Sequence, residues 1–288
     1  MADGNVVGVT GKRILAIYGH PDDEGQITGT MAAFLDAGNE VTLLCATRGE
    51  VGEISDPALS TPETLGYTRE LELRASMAQI GLADVRFLPF RDSGMDGTPE
   101  NEDERCWHQQ PPEVAVPAVL SVMRDVRPHL VFTWQADGGY GHPDHIAAHN
   151  HTIAAFEACA DAAVYPESGE PWQPERLFWG ARMMGGFAKV RFEMEKRGLL
   201  DEPITDEQRE RFEEMLSKPQ PTVSVTVDTR AYIAMKRRAS SMHRSQFGES
   251  GMFSRVPDDL LGEVYGMERF YQALPQWPEE QEPTEGFA

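Results

Sequence analysis

The sequence predicts an α/β protein with a Rossmann-like, mostly parallel sheet, helices on both faces and a small C-terminal elaboration. Two observations favour this fold class. Short apolar segments alternate with segments of helical spacing through the first half of the chain, which is the pattern of strand–helix–strand units. Polar loops rich in chemistry-bearing side chains follow two of the apolar segments, and the carboxyl edge of such a sheet is where ligands bind.

The first fifty residues contain one complete strand–helix–strand unit. Residues 13–18, RILAIY, form an apolar segment typical of a buried strand. Residues 24–37 carry apolar side chains near helical spacing and stop at Gly38, which predicts a helix. Residues 41–46, VTLLCA, predict a second buried strand. Such a unit predicts parallel pairing through a right-handed crossover.

The same alternation continues along the chain and then weakens. Further helices are predicted at 68–80, 113–126, 146–162, 206–216 and 231–246. Further strands are predicted at 85–89, 130–134, 177–183 and 222–227, with polar loops at 49–65 and 91–112. We therefore predict a single domain over 1–274, with its core at about 13–165 and an elaboration at about 166–274. Residues 275–288 form a Pro/Glu-rich tail that we expect to be poorly ordered.

Composition and charge exclude several classes of protein. Of 288 residues, 40% are hydrophobic and 25% are charged, as in ordinary globular proteins. The formal net charge of -21 repels nucleic acid and anionic membranes. No apolar segment approaches the roughly 18 residues that span a membrane, and the start lacks the pattern of a secretory signal. We expect a cytoplasmic protein, with a homo-oligomer left open.

The three cysteines are odd in number and far apart, without a Cys-x-x-Cys pair. A disulfide framework or a thiolate zinc site is therefore not expected. The pattern indicates that Cys45, Cys106 and Cys159 are buried structural thiols.

Two near-copies of one short motif are the most informative feature of the chain. GHPDDE occupies residues 19–24 and GHPDH occupies residues 141–145, each directly after a predicted strand. Each motif concentrates imidazole and carboxylate groups around a proline. Together they contain the ligands, base and acid of a divalent-metal hydrolase, provided that the two loops meet in space.

One set of side chains in these motifs suits a catalytic metal ion. His20, Asp23 and His145 supply two imidazoles and one carboxylate, and catalytic zinc needs about three protein ligands plus an open position. Zn²⁺ fits this set, with Fe²⁺ as the competing ion. A single His-x-x-Asp is a weak signal, because an isolated loop histidine usually caps a helix or lies on the surface. Two such motifs after strands favour the metal site.

The remaining polar side chains of the motifs have candidate catalytic roles. Asp22 points away from its neighbour Asp23, so it is better placed as a general base toward metal-bound water. His142 could protonate a leaving amine, and Asp144 could orient the ring of His142. Tyr140 could donate a hydrogen bond to an oxyanion.

The longer blocks that contain these motifs resemble a known family. GHPDDE and GGYGHPDH (residues 138–145), with TRGE at 47–50 and RDSGM at 91–95, are similar to the LmbE-like, zinc-dependent N-acetylglucosaminyl-phosphatidylinositol de-N-acetylases (PIG-L). The chain is most similar to the branch that acts on the mycothiol precursor N-acetylglucosaminyl-inositol and on mycothiol S-conjugates. The resemblance covers residues 13–160, with a weaker match in the segment that contains Lys236, His243, Ser245 and Gln246.

The resemblance implies a zinc-dependent N-deacetylase that acts on a small N-acetylglucosamine-containing molecule by Asp-assisted attack of metal-bound water. It implies the same metal ligands and base, and an acid or oxyanion-stabilising role for His142 with help from Tyr140. It alone assigns Arg69 and Asp92 to the sugar or its aglycone. An amidase that cleaves the glucosamine–cysteine amide of mycothiol-type S-conjugates is an alternative. An inactive carbohydrate-binding or regulatory protein is another, although both the base and the acid positions are filled.

Overall fold

The computed structural model describes residues 5–181, 185–248 and 255–288, and its central feature is one eight-stranded sheet. The strands are β1 (Arg13–Tyr18), β2 (Glu40–Cys45), β3 (Asp84–Phe87), β4 (Leu130–Thr133), β5 (Arg176–Gly180), β6 (Val225–Asp228), β7 (Met267–Leu274) and β8 (Thr284–Glu285). Their order across the sheet is β3-β2-β1-β4-β5-β7-β6-β8. The end of the predicted strand 177–183 lies outside the described residues.

The predicted mostly parallel sheet is confirmed. Strands β3, β2, β1, β4 and β5 pair in parallel. Strand β7, which the sequence did not reveal, is antiparallel to both β5 and β6, and β8 is parallel to β6. The strand order reverses between β1 and β4, so a crevice opens at their carboxyl ends. This topological switch point is the usual ligand site of an open α/β sheet.

Ten α-helical segments accompany the sheet in the described residues. They are α1 (Thr28–Asp36), α2 (Leu65–Ala78), α3 (Pro112–Val126), α4 (Gly138–Gly141), α5 (Pro143–Ala158), α6 (Gly186–Lys196), α7 (Asp206–Ser217), α8 (Ile233–Ser240), α9 (Arg244–Phe247) and α10 (Asp258–Tyr265). Helix α4 is a single kinked turn. Helices α1 and α2 contact α8, whereas α3 packs against α5. Right-handed crossovers place these two groups on opposite faces of the sheet.

Two predictions for the second half of the chain are wrong. The helix predicted at 231–246 is divided, because α8 ends at Ser240 and α9 begins only at Arg244. The tail is ordered, since β8 pairs with β6 and Phe287 is fully buried. The ring of Phe287 packs 5.4 Å from that of Phe132 in the core. Backbone pairing and the buried side chains of Trp277 and Phe287 hold a segment whose composition alone predicts disorder.

Other features agree with the sequence analysis. All three cysteines are buried and free. No helix among the described residues is long and apolar enough to cross a membrane.

Candidate active site

The two motif loops meet at the switch point, as the sequence analysis required. The first loop (residues 19–24) follows β1, and the second loop (residues 138–145) runs from α4 into the first turn of α5. The Nδ1 atom of His20 lies 3.2 Å from Nε2 of His145. Both side chains are buried. Imidazoles from two remote segments are thus within ligand distance of a common ion.

The outer nitrogen of each imidazole is occupied by a hydrogen-bond acceptor. His20 Nε2 lies 3.1 Å from Oδ2 of Asp144, and His145 Nδ1 lies 3.0 Å from the carbonyl oxygen of Gly138. These contacts favour N–H groups on the outer nitrogens and lone pairs on the inner ones. Two lone pairs that face each other at this distance repel unless a cation lies between them. The donor set therefore suits a positive ion.

The electrostatics of His20 lead to the same conclusion. Burial opposes protonation of this ring, but the carboxylates of Asp92, Asp144 and Asp23 outweigh it and raise the pKa of His20 well above its usual value. An acid-rich pocket that favours a positive charge on His20 also favours a metal cation beside it.

Asp23 is fixed so that one of its oxygens remains available. Its Oδ2 accepts hydrogen bonds from the backbone N–H groups of Gly19 and His20 at 3.0 and 2.8 Å, and from the indole N–H of Trp134 at 3.2 Å. Its Oδ1 lies 3.2 Å from His145 Nε2. A tetrahedral zinc ion with ligands at about 2.1 Å spaces them about 3.4 Å apart. Two separations in the predicted set, between His20 and His145 and between His145 and Asp23, are near this value, whereas the nearest approach of His20 Nδ1 to Asp23 is 3.7 Å, to Oδ2.

Other side chains offer further donors at the same place. Ring nitrogens of His20, His142 and His145 lie within 4.8 Å of one another, and so do donor atoms of His20, Asp92 and Asp144. The Nδ1 atom of His142 already accepts the backbone N–H of Asp144 at 3.2 Å, which leaves its Nε2. Mixed imidazole and carboxylate donors suit Zn²⁺ and also Fe²⁺. The structure thus contains a candidate divalent-metal centre with more than one donor set.

Asp22 has an unusual backbone conformation beside this cluster. Its φ of 102° is in the left-handed region, and a non-glycine residue held there costs on the order of 1–3 kcal/mol. Its side chain is 22% exposed, and its Oδ2 lies 3.2 Å from Arg69 Nη2. Burial raises the pKa of Asp22 to about 6, although Arg69 opposes the shift. A half-buried carboxylate with a raised pKa is suited to accept a proton near neutral pH.

The two residues that the resemblance assigned to the sugar lie in the wall of the site. Arg69 is buried and also donates to the carbonyl oxygens of Gly49 and Pro21, at 3.0 and 2.6 Å. Asp92 is buried and accepts hydrogen bonds from the backbone of Gly94 and Val51.

The expected orientation of His142 by Asp144 is wrong. The Asp144 carboxylate accepts hydrogen bonds from the backbone N–H and the hydroxyl of Ser93, and its Oδ2 lies beside His20. Only its backbone N–H contacts the ring of His142. The reason is geometric, because Asp144 follows the N-cap His142 in the first turn of α5 and its side chain points toward β1. Asp144 therefore orients His20.

His142 and Tyr140 line the open side of the cluster. Burial, together with the positive charges of His20 and His145, lowers the pKa of His142 to about 4. Tyr140 is 58% exposed, and its ring centroid lies 5.1 Å from that of His145. The Tyr140 hydroxyl is thus at the rim, where it can meet a ligand.

Four residues around the site were not singled out from the sequence as parts of it. Ser93 holds Asp144, Trp134 holds Asp23 and stacks on His145 at 3.9 Å, and Glu24 contacts the buried His243. Glu24 is the last residue of the first motif, Ser93 lies in RDSGM, Trp134 precedes the second motif, and His243 lies in the weaker matching segment. Position in or near a matching segment was the only feature of the sequence that could have indicated these residues, and it does not reveal which atom each side chain contacts.

The fold and the site define a class of protein, namely a Rossmann-like α/β protein with an imidazole–carboxylate cluster at the switch point. Residues 15–156 match the family model described as PIG-L, GlcNAc-PI de-N-acetylase. The chain belongs to this family, as its motifs predicted.

Relatives extend the similarity over nearly the whole chain. The "1D-myo-inositol 2-acetamido-2-deoxy-alpha-D-glucopyranoside deacetylase" of Rhodococcus erythropolis is 37% identical over 277 residues, which cover 91% of each chain. The protein of the same name from Thermobifida fusca is 32% identical and covers 96% of this chain and 97% of its own. The names of these relatives give the predicted enzyme class, an N-deacetylase.

Solved structures share the fold. The N,N'-diacetylchitobiose deacetylase of Pyrococcus horikoshii superposes with a TM-score of 0.58 at 21% identity, covering 91% of this chain and 83% of its own. A deacetylase in the biosynthesis pathway of teicoplanin gives a TM-score of 0.51 at 15% identity, covering 93% and 100%. At these identities the likeness concerns the fold alone.

Proposed function

We propose that the protein is a metal-dependent N-deacetylase that removes the acetyl group from an N-acetylglucosamine-containing small molecule. The observation that carries the proposal is the meeting of His20 and His145 across the switch point, with Asp23 between them and Asp22 beside them. The names of relatives that span nine tenths of the chain support an inositol N-acetylglucosaminide as the substrate. We expect it to act in the cytoplasm, without a nucleic-acid partner.

His20, Asp23 and His145 would hold the metal ion, and zinc is the first candidate. When bound, the ion would polarise the acyl carbonyl and lower the pKa of water. Asp144 and the carbonyl of Gly138 orient the two imidazoles through their outer nitrogens. Trp134 and the backbone of the first loop orient Asp23.

Asp22 acts as the general base. Its carboxylate accepts the proton of the attacking water, and the raised pKa of about 6 makes this transfer favourable near neutral pH. The same group can return the proton to the leaving amine as the amide bond breaks. Arg69 fixes the carboxylate by contacting its Oδ2.

His142 stabilises the oxyanion. Its Nδ1 accepts the N–H of Asp144, so the neutral ring carries its proton on Nε2. With a pKa lowered to about 4, the ring is neutral at pH 7, and a nearby cation keeps it so. Of the two roles predicted for His142, this favours hydrogen-bond donation over protonation of the amine. Tyr140 at the rim supplies a second donor, its hydroxyl.

The experiment that tests the proposal is an amine-release assay with metal analysis in parallel. The protein is loaded with Zn²⁺ or Fe²⁺ and supplied with N-acetylglucosaminyl-inositol, with generic N-acetylglucosaminides and with a mycothiol bimane conjugate. We expect amine and acetate in equal amounts from the first substrate, and loss of both after chelation. Cleavage of the conjugate alone would support the amidase alternative. No release from any substrate by the metal-loaded protein would refute the hydrolase.

A further inference from the structure

The C-terminal elaboration reaches the first loop through one buried histidine. His243 lies between α8 and α9, and its side chain is 1% exposed. Its Nε2 lies 2.7 Å from Oε1 of Glu24, whose side chain is 3% exposed. Glu24 also accepts a hydrogen bond from the hydroxyl of Ser76 on α2, at 3.1 Å. A carboxylate this deeply buried requires hydrogen-bond donors around it.

The other oxygen of Glu24 contacts the proposed base. Glu24 Oε2 accepts the backbone N–H of Asp22 at 2.8 Å. Asp22 is held at a φ of 102°, which a side-chain-bearing residue keeps only when its surroundings fix it. One carboxylate thus links a buried histidine from the elaboration to the strained backbone of the base.

We propose that His243 is a positioning residue that acts through Glu24 to hold Asp22 in its catalytic conformation. His243 donates to Glu24 Oε1, which fixes the carboxylate so that Oε2 stays in line with the N–H of Asp22. Without this donor, Glu24 turns away from its buried site, and Asp22 relaxes from the left-handed region. The carboxylate of Asp22 then moves, whereas the imidazoles of the metal site keep their own partners.

Neighbouring contacts of the same segment allow the positioning role of His243 to be distinguished from simple attachment of the segment to the rest of the protein. Ser245 donates to Glu72 on α2 through its backbone N–H and its hydroxyl, at 2.7 and 2.6 Å. Gln246 donates to the carbonyl oxygen of Glu53 at 3.0 Å. These contacts hold the same segment on the same surface but have no described contact with Glu24. Ser245→Ala therefore serves as a matched control, because it weakens the attachment of this segment to α2 without removing a contact to Glu24.

The kinetic test compares His243→Leu, His243→Gln and Ser245→Ala, and it rests on the proposed deacetylase activity. A misplaced catalytic group can reduce turnover by up to about 100-fold, so we expect His243→Leu to lower kcat by roughly this factor with little change in KM or metal content. His243→Gln carries an amide N–H near the position of Nε2 and should restore most of the rate. Ser245→Ala should lose thermal stability but keep kcat.

A double variant shows whether His243 acts through the base. In an Asp22→Ala background, His243→Leu should cause no further loss of kcat, because groups that act as one unit are not additive. An additive loss in Asp22→Ala/His243→Leu would overturn the proposal. Equal kcat losses in His243→Gln and His243→Leu, or an unchanged kcat in both, would overturn it as well.

A structural measurement keeps the test independent of the substrate. In a crystal structure of His243→Leu, we expect Asp22 to leave positive φ and its N–H to separate from Glu24. If Asp22 keeps its conformation, the positioning role is refuted whatever the activity. If Asp22 relaxes but the wild-type protein releases no amine from any substrate, the deacetylase proposal fails and the positioning role stands.

Discussion

The two motif loops resemble each other in sequence but are held in place by different means. The backbone of the second loop is fixed largely by its own neighbours, since Asp137 accepts the N–H of Gly139 and His142 caps α5, although the side chain of Asp144 contacts the remote Ser93. The first loop depends on residues remote in the chain. Arg69 contacts Asp22, and His243 contacts Glu24 across 219 positions. Similar motifs thus reveal the candidate ligands, whereas the geometry of the base depends on residues that no local motif contains.

The largest effect is expected from the ligands, which both loops supply. His20→Ala and His145→Ala should each lose metal and turnover, because each deletes an imidazole from one ion. Metal content of the dialysed variants, measured with activity, checks this. His129→Ala is the matched control, because His129 precedes β4 at the opposite edge of the sheet. Full metal retention by either His20→Ala or His145→Ala would show that the two loops do not share one metal ion.

The next effect concerns the base, which only the first loop contains. Asp22→Asn should keep its metal and lose about 10²–10⁴-fold in kcat, the usual contribution of general acid–base catalysis. Rapid-quench or steady-state assays at saturating metal measure it. Turnover close to wild type would show that another group accepts the proton.

A smaller effect is expected where the loops contact each other. Asp144 lies in the second loop but orients His20 of the first. Asp144→Asn should weaken metal affinity by about 10–100-fold, as for other groups that orient a ligand. Competition with a chromophoric chelator measures this affinity. Ser93→Ala removes only one donor to Asp144 and should change it less. Unaltered affinity with lost turnover would instead mean that Asp144 supports catalysis by a route other than orienting a metal ligand.

A difference in stability, rather than in activity, tests the local support of the second loop. Gly139 has a φ of +78°, and a Cβ there would lie 2.8 Å from Trp134 Cζ3. Gly97 has a φ of +79° with open space around it. Each change to alanine should cost about 1–2 kcal/mol for the left-handed backbone, and Gly139→Ala should cost about 1–3 kcal/mol more from overpacking. Thermal unfolding compares the two variants. Equal decreases in unfolding temperature would mean that the side chain of Trp134 moves aside without cost.

The parallel part of the sheet was predictable because each strand is an apolar segment with its own loop. Strand β7 could not be predicted from the sequence, for a physical reason. Its buried positions Glu268, Phe270 and Gln272 include two polar side chains, so the alternation is hidden. Glu268 accepts hydrogen bonds from the first turn of α1, and Gln272 donates to the carbonyl oxygen of Pro275. When a buried position of a strand carries a polar side chain that bonds to another element, the sequence loses the alternation of apolar and polar residues that predicts a strand.

The candidate site divides in the same way. His20, Asp22, Asp23 and His145 were proposed from spacing and residue type, because ligands and bases must be particular side chains, and the structure brings His20, Asp23 and His145 together. The partners of Asp144 and Arg69 were not, because an Asp or Arg can serve any of several acceptors or donors within reach. Only the folded chain determines that Asp144 contacts His20 and that Arg69 contacts Asp22.

Trp134 gives the protein an optical reporter of its own. Its indole donates to Asp23 and stacks on His145, so it touches two of the proposed ligands at once. A cation that draws these groups together changes the electric field along the ring. Fluorescence from this side chain, isolated by subtracting the spectrum of a Trp134→Phe variant, would follow ion uptake without any added dye.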